Sequence, residues 1–393
     1  MRAMTFAWIV LFILPRASAQ NRNPEEEIMK NEKSSLECSG YLKHMTGREF
    51  IGRIDSGSSS ALLHNRLRFR ATLTSGLKMH AEARTRIFYG EYYSRYENYG
   101  KTVSRDDNLM QLTWLAVNRK SFVLSTVSDR LYVEYRSGGL TVRAGRQRIN
   151  WGISNAWNPN DLFNAYNFLD FDYEERPGSD ALRIVSESEN HGNIELAVKP
   201  SRKEGGHIAA LRYAWNRSKY DLQCIAGIFQ KDWILGGGWA GSLGDSGFKG
   251  ELTAFMPLPG EDKRSAEISL TLMADRTFRN GWYATGAFLF HSLPANMGQP
   301  AANANVQLSP RSLFPYRYSL QVQAIRNAGG AVSYGITLAG APQDKAMVIF
   351  PTLQWAVSEA FEMDIILQSW MTEKDSKLSL QYNILYFRSR WSF

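Results

Sequence analysis

The chain has 393 residues, with 46 Lys and Arg against 38 Asp and Glu, a formal net charge of +8 and 12% aromatic residues. Two cysteines, Cys38 and Cys224, make neither a disulfide framework nor a metal-ligand cluster. Beyond the first 20 residues no apolar run approaches the ~20 residues of a spanning helix. The mean hydropathy of −0.34 would suit a water-soluble chain, but also strands with only alternate residues facing lipid.

Residues 1–19 have the layout of a cleaved secretory signal: Arg2, an apolar run from Thr5 to Leu14, and Ala17-Ser18-Ala19 before Gln20. The apolar run is about half the length of a spanning helix, and no Cys follows it for lipid attachment. Export from the cytoplasm is therefore expected. Residues 20–57, with Glu25, Glu26 and Glu27, alternate weakly and read as a polar periplasmic extension. It lacks the mass of a plug domain, which argues against gated high-affinity uptake.

From residue 58 to residue 393 the pattern has a period of two. In Leu63–Leu73, Leu67, Phe69, Ala71 and Leu73 oppose Arg66, Arg68, Arg70 and Thr72. After Thr74-Ser75-Gly76, Leu77, Met79, Ala81, Ala83 and Ile87 oppose Lys78, His80, Glu82, Arg84 and Arg86. A helix would scatter these charges around its surface; a strand puts them on one face. Similar alternation occurs at Ile268–Asp275, Ser319–Ala324, Val332–Leu338 and Phe361–Gln368. Segments of about ten residues with Gly, Asn, Asp and Ser turns predict an all-β, antiparallel, up-and-down transmembrane barrel. We expect 16 to 18 strands and favour 16.

The chain ends Leu385-Tyr386-Phe387-Arg388-Ser389-Arg390-Trp391-Ser392-Phe393. The terminal Phe with Trp391, Phe387 and Leu385 at alternate positions resembles the assembly signal of bacterial outer-membrane barrels, although Ser389 interrupts the apolar row. The resemblance implies recognition of the last strand by the barrel-assembly machinery. Expected surroundings are outer-membrane lipid and lipopolysaccharide. Cys224 falls on the apolar side of its strand, a thiol facing lipid.

Residues 151–178 break the alternation, with Trp157, Phe163, Tyr166, Phe168, Phe171 and Tyr173 among acids. This loop is too apolar for disorder and too long for a turn. Gly145-Arg146-Gln147-Arg148-Ile149-Asn150-Trp151-Gly152 and Trp157-Asn158-Pro159-Asn160-Asp161-Leu162-Phe163-Asn164 together resemble uncharacterised porin-like outer-membrane proteins. The resemblance is tightest from Asp129 to Arg183. It implies a porin-type barrel and carries over no catalytic residue.

In porins such a loop folds inward and narrows the channel. Its residues Trp157, Asn158, Asn160, Asp161, Phe163, Asn164, Asp170, Asp172, Glu174 and Glu175 are then candidates for a constriction. Its acids would face a basic wall of Arg66, Arg68, Arg70, Lys78, Arg84 and Arg86, and low-dielectric walls would focus the field between them. His80, Glu82, Arg130, Glu134 and Arg143 complete the candidate pore lining. The competing readings are a loop that caps one end for stability, and arginines paired with Glu82, Glu134, Glu362 and Asp364 on other strands.

The positive charge lies on strands, alternating with apolar residues, with no helix-borne basic patch or nucleic-acid motif. Nucleic acid is therefore not an expected partner, and neither a cofactor nor a metal is implied. The six histidines, His44, His64, His80, His191, His207 and His291, stand in no GxSxG, HExxH or metal-spaced pattern, so no enzyme is expected. The leading expectation is passive passage of small hydrophilic solutes, biased toward anions. A non-conducting barrel serving assembly or anchoring a partner, and an export channel for polysaccharide or apolar cargo, are the alternatives.

Overall fold

The computed structural model describes residues 35–164, 176–188, 192–261, 264–293, 309–374 and 377–393. The signal segment 1–19 and the loop positions Asp170, Asp172, Glu174 and Glu175 lie outside the described residues. Alternation of apolar and polar residues yields long antiparallel strands. The first are β1 (Ser35–Phe50), β2 (Ser58–Thr74), β3 (Leu77–Tyr89), β4 (Thr113–Arg119), β5 (Phe122–Ser137) and β6 (Leu140–Gln147). Next come β7 (Ser179–Ser188), β8 (Gly192–Lys199), β9 (Ile208–Arg217), β10 (Tyr220–Phe229), β11 (Asp232–Leu243), β12 (Ser246–Pro257) and β13 (Glu267–Thr277). The last are β14 (Trp282–His291), β15 (Tyr318–Asn327), β16 (Val332–Ala341), β17 (Ala346–Ala356), β18 (Phe361–Lys374) and β19 (Lys377–Ser392).

Each strand pairs with its neighbour in sequence, except that β3 pairs with β5, and β1 closes the ring on β19 from Tyr41↔Ser392 to Phe50↔Asn383. β4 adds to β5 only, at Phe122–Val127, beyond the stretch Leu131–Ser137 where β5 pairs with β6. The barrel therefore has 18 strands, which corrects the favoured 16. Closure leaves none of the 18 ring strands at an open edge among the described residues, as hydrocarbon requires.

The expected extension over 20–57 also needs correction, because Ser35–Phe50 is the first barrel strand, paired to both β2 and β19. Its alternation was masked. Tyr41 and Met45 face inward beside Lys43, whereas the outward row holds Gly40, His44 and Thr46 with Leu42.

Phe69, Met79, Leu211, Leu235, Leu252, Val322, Ile336, Leu353, Ile365 and Phe387 are exposed on the outer surface, so the apolar row faces outward. That arrangement places the hydrocarbon of a bilayer around the barrel. Among the described residues no helix is long and apolar enough to cross a membrane. Cys38 and Cys224 are free and exposed. Eight connections at one end span only two to four residues, whereas 90–112, 148–178 and 292–317 emerge at the other. Short periplasmic turns and long external loops are the orientation rule for such barrels.

Candidate functional site: the inward segments and the charged wall

The segment after β6 runs across the interior. Its partners lie on β8, β10, β11, β12 and β13: the inward side chains Glu195, Gln223, Glu251, Thr253 and Met273, and the Gly237 carbonyl. Trp151 Nε1–H donates to Glu195 Oε1 at 2.5 Å, and Gln223 Nε2 donates to the Trp151 carbonyl at 2.8 Å. Glu251, which has no exposed surface, accepts N–H bonds from Ile153 (2.6 Å), Ser154 (2.5 Å) and Asn160 (3.0 Å), and from Asn158 Nδ2 (3.0 Å). Thr253 Oγ1 donates to Asn160 Oδ1 at 2.7 Å, while Asn160 Nδ2 donates to the Gly237 carbonyl at 2.9 Å. A backbone crossing a barrel must place its amides somewhere; these carboxylates and carbonyls receive them.

Close approach is possible because β11 carries Gly236-Gly237-Gly238. A Cβ built on Gly238 would stand 2.8 Å from Ile153 Cδ1 and 3.0 Å from Asn160 Nδ2. The aromatic residues fill the same space. Trp151 packs edge-on to Phe163 with 5.1 Å between ring centres, against Ala181, Ala197, Ala210, Ile225 and Ile234 of the inner wall. Trp157 packs on Met273, Leu289, Leu313 and Phe314, so the 309–317 segment is a second inward piece. Burying each large ring is worth about 1.5–3 kcal/mol.

Asn158, Asn160, Asp161 and Asn164 are at most 4% exposed and hold the loop's own fold. Asn164 Oδ1 accepts from the Ile149 amide (3.0 Å), and Asn158 Oδ1 accepts from Arg176 Nη2 (2.6 Å). Asp161 pairs with Arg176 of the same loop, not with the basic wall, which corrects the expected opposition at that residue. Burial pushes the Asp161 carboxyl up to about 7, against the pull of Arg176 and reinforced by Glu251.

The basic wall lies half-way round the ring: β2 and β12 stand nine places apart among the 18. Arg66 bonds Glu82 (2.6 Å) and Asp129 (3.0 Å), Arg84 bonds Asp129 (3.0 Å), and Arg130 bonds the Arg176 carbonyl (2.7 Å). Arg66, Arg84 and Arg130 are at most 6% exposed, so they brace the wall and do not present charge to solvent, a correction to their expected place in the pore lining.

The others are more open. Arg68 stands over the Tyr41 ring at 5.8 Å, Arg143 bonds Glu134 at 2.5 Å, and Arg86 donates to the Val103 carbonyl at 2.9 Å. His80 stacks on Tyr132 with ring centres 4.6 Å apart, Lys78 stands opposite Glu134, and Arg70 reaches Glu37 near the end with the short turns.

Sequence reasoning missed Lys43, Asp129, Glu195 and Glu251; it named Glu362 and Asp364 as inward partners for arginines but not the arginines they meet, Arg390 (3.0 Å) and Arg388 (2.8 Å). The signal for Glu251 was present: it is the acid of an otherwise apolar and hydroxyl run, Glu251-Leu252-Thr253-Ala254-Phe255.

Comparison with solved structures finds the 18-strand closed ring. The fold is that of the OprD/Occ outer-membrane porin channels. Pseudomonas aeruginosa OccK5 (OpdH) superposes with a TM-score of 0.57 at 9% identity, over 91% of this chain and 98% of that one. Acinetobacter baumannii OccAB3 gives 0.58 at 9% identity, over 91% and 99%. Pseudomonas aeruginosa OccK11 (OpdR) gives 0.57 at 9% identity, over 91% and 96%. No family model and no curated protein sequence matches the chain. The chain thus shares the fold of bacterial outer-membrane channels.

Proposed function

We propose that the protein is a passive channel for small hydrophilic solutes with a preference for anions, narrowed by the 148–164 and 309–317 segments. The observation that carries this reading is the charge of the arc from β18 through β19, β1, β2 and β3 to β5. There Lys43, Arg66, Arg68, Arg70, Lys78, Arg84, Arg86, Arg130, Arg136, Arg388 and Arg390 share the inward rows with Glu37, Glu49, Glu82, Asp129, Glu134, Glu362 and Asp364, eleven cations to seven acids among the described residues. Carboxylates fix the geometry of the wall without cancelling its sign. On this reading a lumen runs between the wall and the inward segments, and an excess of one sign there selects the other.

The test is single-channel current across a planar bilayer in asymmetric potassium chloride. The reading expects stepwise openings and a reversal potential favouring chloride. Arg68→Glu, at a partly exposed site, should move that potential toward potassium, whereas well-folded protein that inserts and passes no current removes the channel reading in favour of a structural or anchoring barrel.

A further inference from the structure

Four successive connections at the external end converge on one cavity. Lys203 comes from the β8–β9 connection, Lys231 from β10–β11, Arg264 from β12–β13 and Arg311 from β14–β15; together with Glu204 and Gly205 they line a space of about 290 Å³. The lining carries four cations and one acid. Four acids hold the cations without lining the cavity: Asp107 is 3.2 Å from Lys203, Glu261 is 2.6 Å from Lys231, the fully buried Asp232 is 3.2 Å from Arg264, and Glu267 is 3.8 Å from Arg264 and 3.7 Å from Arg311. Arg311 contacts Asp232 as well and lies over the Phe229 and Phe255 rings at 5.4 and 5.0 Å.

We propose that this cavity is an entry-side binding site for a small, multiply charged anion of the phosphate class. Its cations are already oriented by carboxylates behind them, so a ligand meets them with little further loss of side-chain freedom. A univalent ion gains little from positions spread over four connections; an anion with several charged oxygens bridges them. Gly205 has φ +65°, and a Cβ there would come 2.9 Å from Lys231 Cε, so the turn brings its backbone against the lysine stem. The cavity stands on β8–β15, away from the wall that sets the proposed ion preference, and binding here does not require conduction.

The test is calorimetric titration of the detergent-folded protein with inorganic pyrophosphate at constant ionic strength. Lys203 and Lys231 are more than half exposed, so the double variant Lys203→Ala/Lys231→Ala should fold normally, as circular dichroism will report. Losing two charge-assisted contacts should weaken pyrophosphate binding by about tenfold or more, with Arg68→Glu unchanged. Absence of pyrophosphate binding in the parent, or equal binding by parent and double variant, overturns the proposal. Loss of binding in Arg68→Glu to the same degree also overturns it, by placing the site on the opposite wall. None of these results depends on whether the lumen carries current.

Discussion

Trp151 and Glu195 meet through a single hydrogen bond, indole nitrogen to carboxylate, at a place where neither side chain has appreciable contact with solvent. Glu195 also receives Arg183 at 2.6 Å and Arg212 at 3.3 Å, so one carboxylate joins the loop to three strands. Trp151→Phe keeps the ring and removes the donor. Two cations still serve Glu195, so the expected loss is about 1–3 kcal/mol, read as a lower melting temperature in detergent. An unchanged melting temperature would show that the bond contributes nothing.

Glu251 holds the crossing by four N–H donors, and its loss leaves several buried amides without an acceptor. Glu251→Ala should release the loop from β12. We expect faster proteolytic cutting within 148–178 and noisier single-channel current, with the barrel itself still resistant. Equal cutting rates in parent and variant would rule out this anchor.

Gly238→Leu tests the close approach from the other side. Its side chain has no room against Ile153 and Asn160, so the segment must move toward the lumen centre. Lower conductance is the expected result. An unchanged or higher value would mean that the segment does not bound the pore.

Asp161 supplies a pH dependence of known sign. Its folded value, about 7, lies above that of an unfolded carboxyl. The folded state thus holds the proton longer, and stability falls as pH rises from about 4 to about 7. Asp161→Asn carries no such charge, so its melting temperature relative to the parent should improve between pH 5 and pH 8. A difference that stays constant over that range would place the carboxyl elsewhere on the scale.

The barrel was legible because burial on one face makes alternation visible, as in Leu63–Leu73 and Leu77–Ile87. Where both faces were mixed, as in Leu42, Lys43, His44 and Met45, hydropathy carried no period and a strand passed as an extension. That the loop is folded and packed was legible from its aromatics; its inward course was one of two readings they left open. Its anchors were not legible, because Glu251 lies 91 residues beyond Asn160 and nothing local joins them. The basic wall shows the same limit in another form. Alternation placed Arg66 and Arg84 inward, but only tertiary structure shows that Asp129 takes both.

The distance along the chain between Ile153 and its acceptor, 98 residues, bears on how the protein is made. Closing so long a loop is slow, since chain entropy is lost before the contact rewards it. The crossing segment cannot come to rest until β12 stands in place, and Trp157 must wait further for Leu289 and Phe314. Through most of assembly this aromatic stretch therefore has no wall to lie on. Completion of the far side of the ring is what turns it from an exposed, adhesive thread into part of the interior.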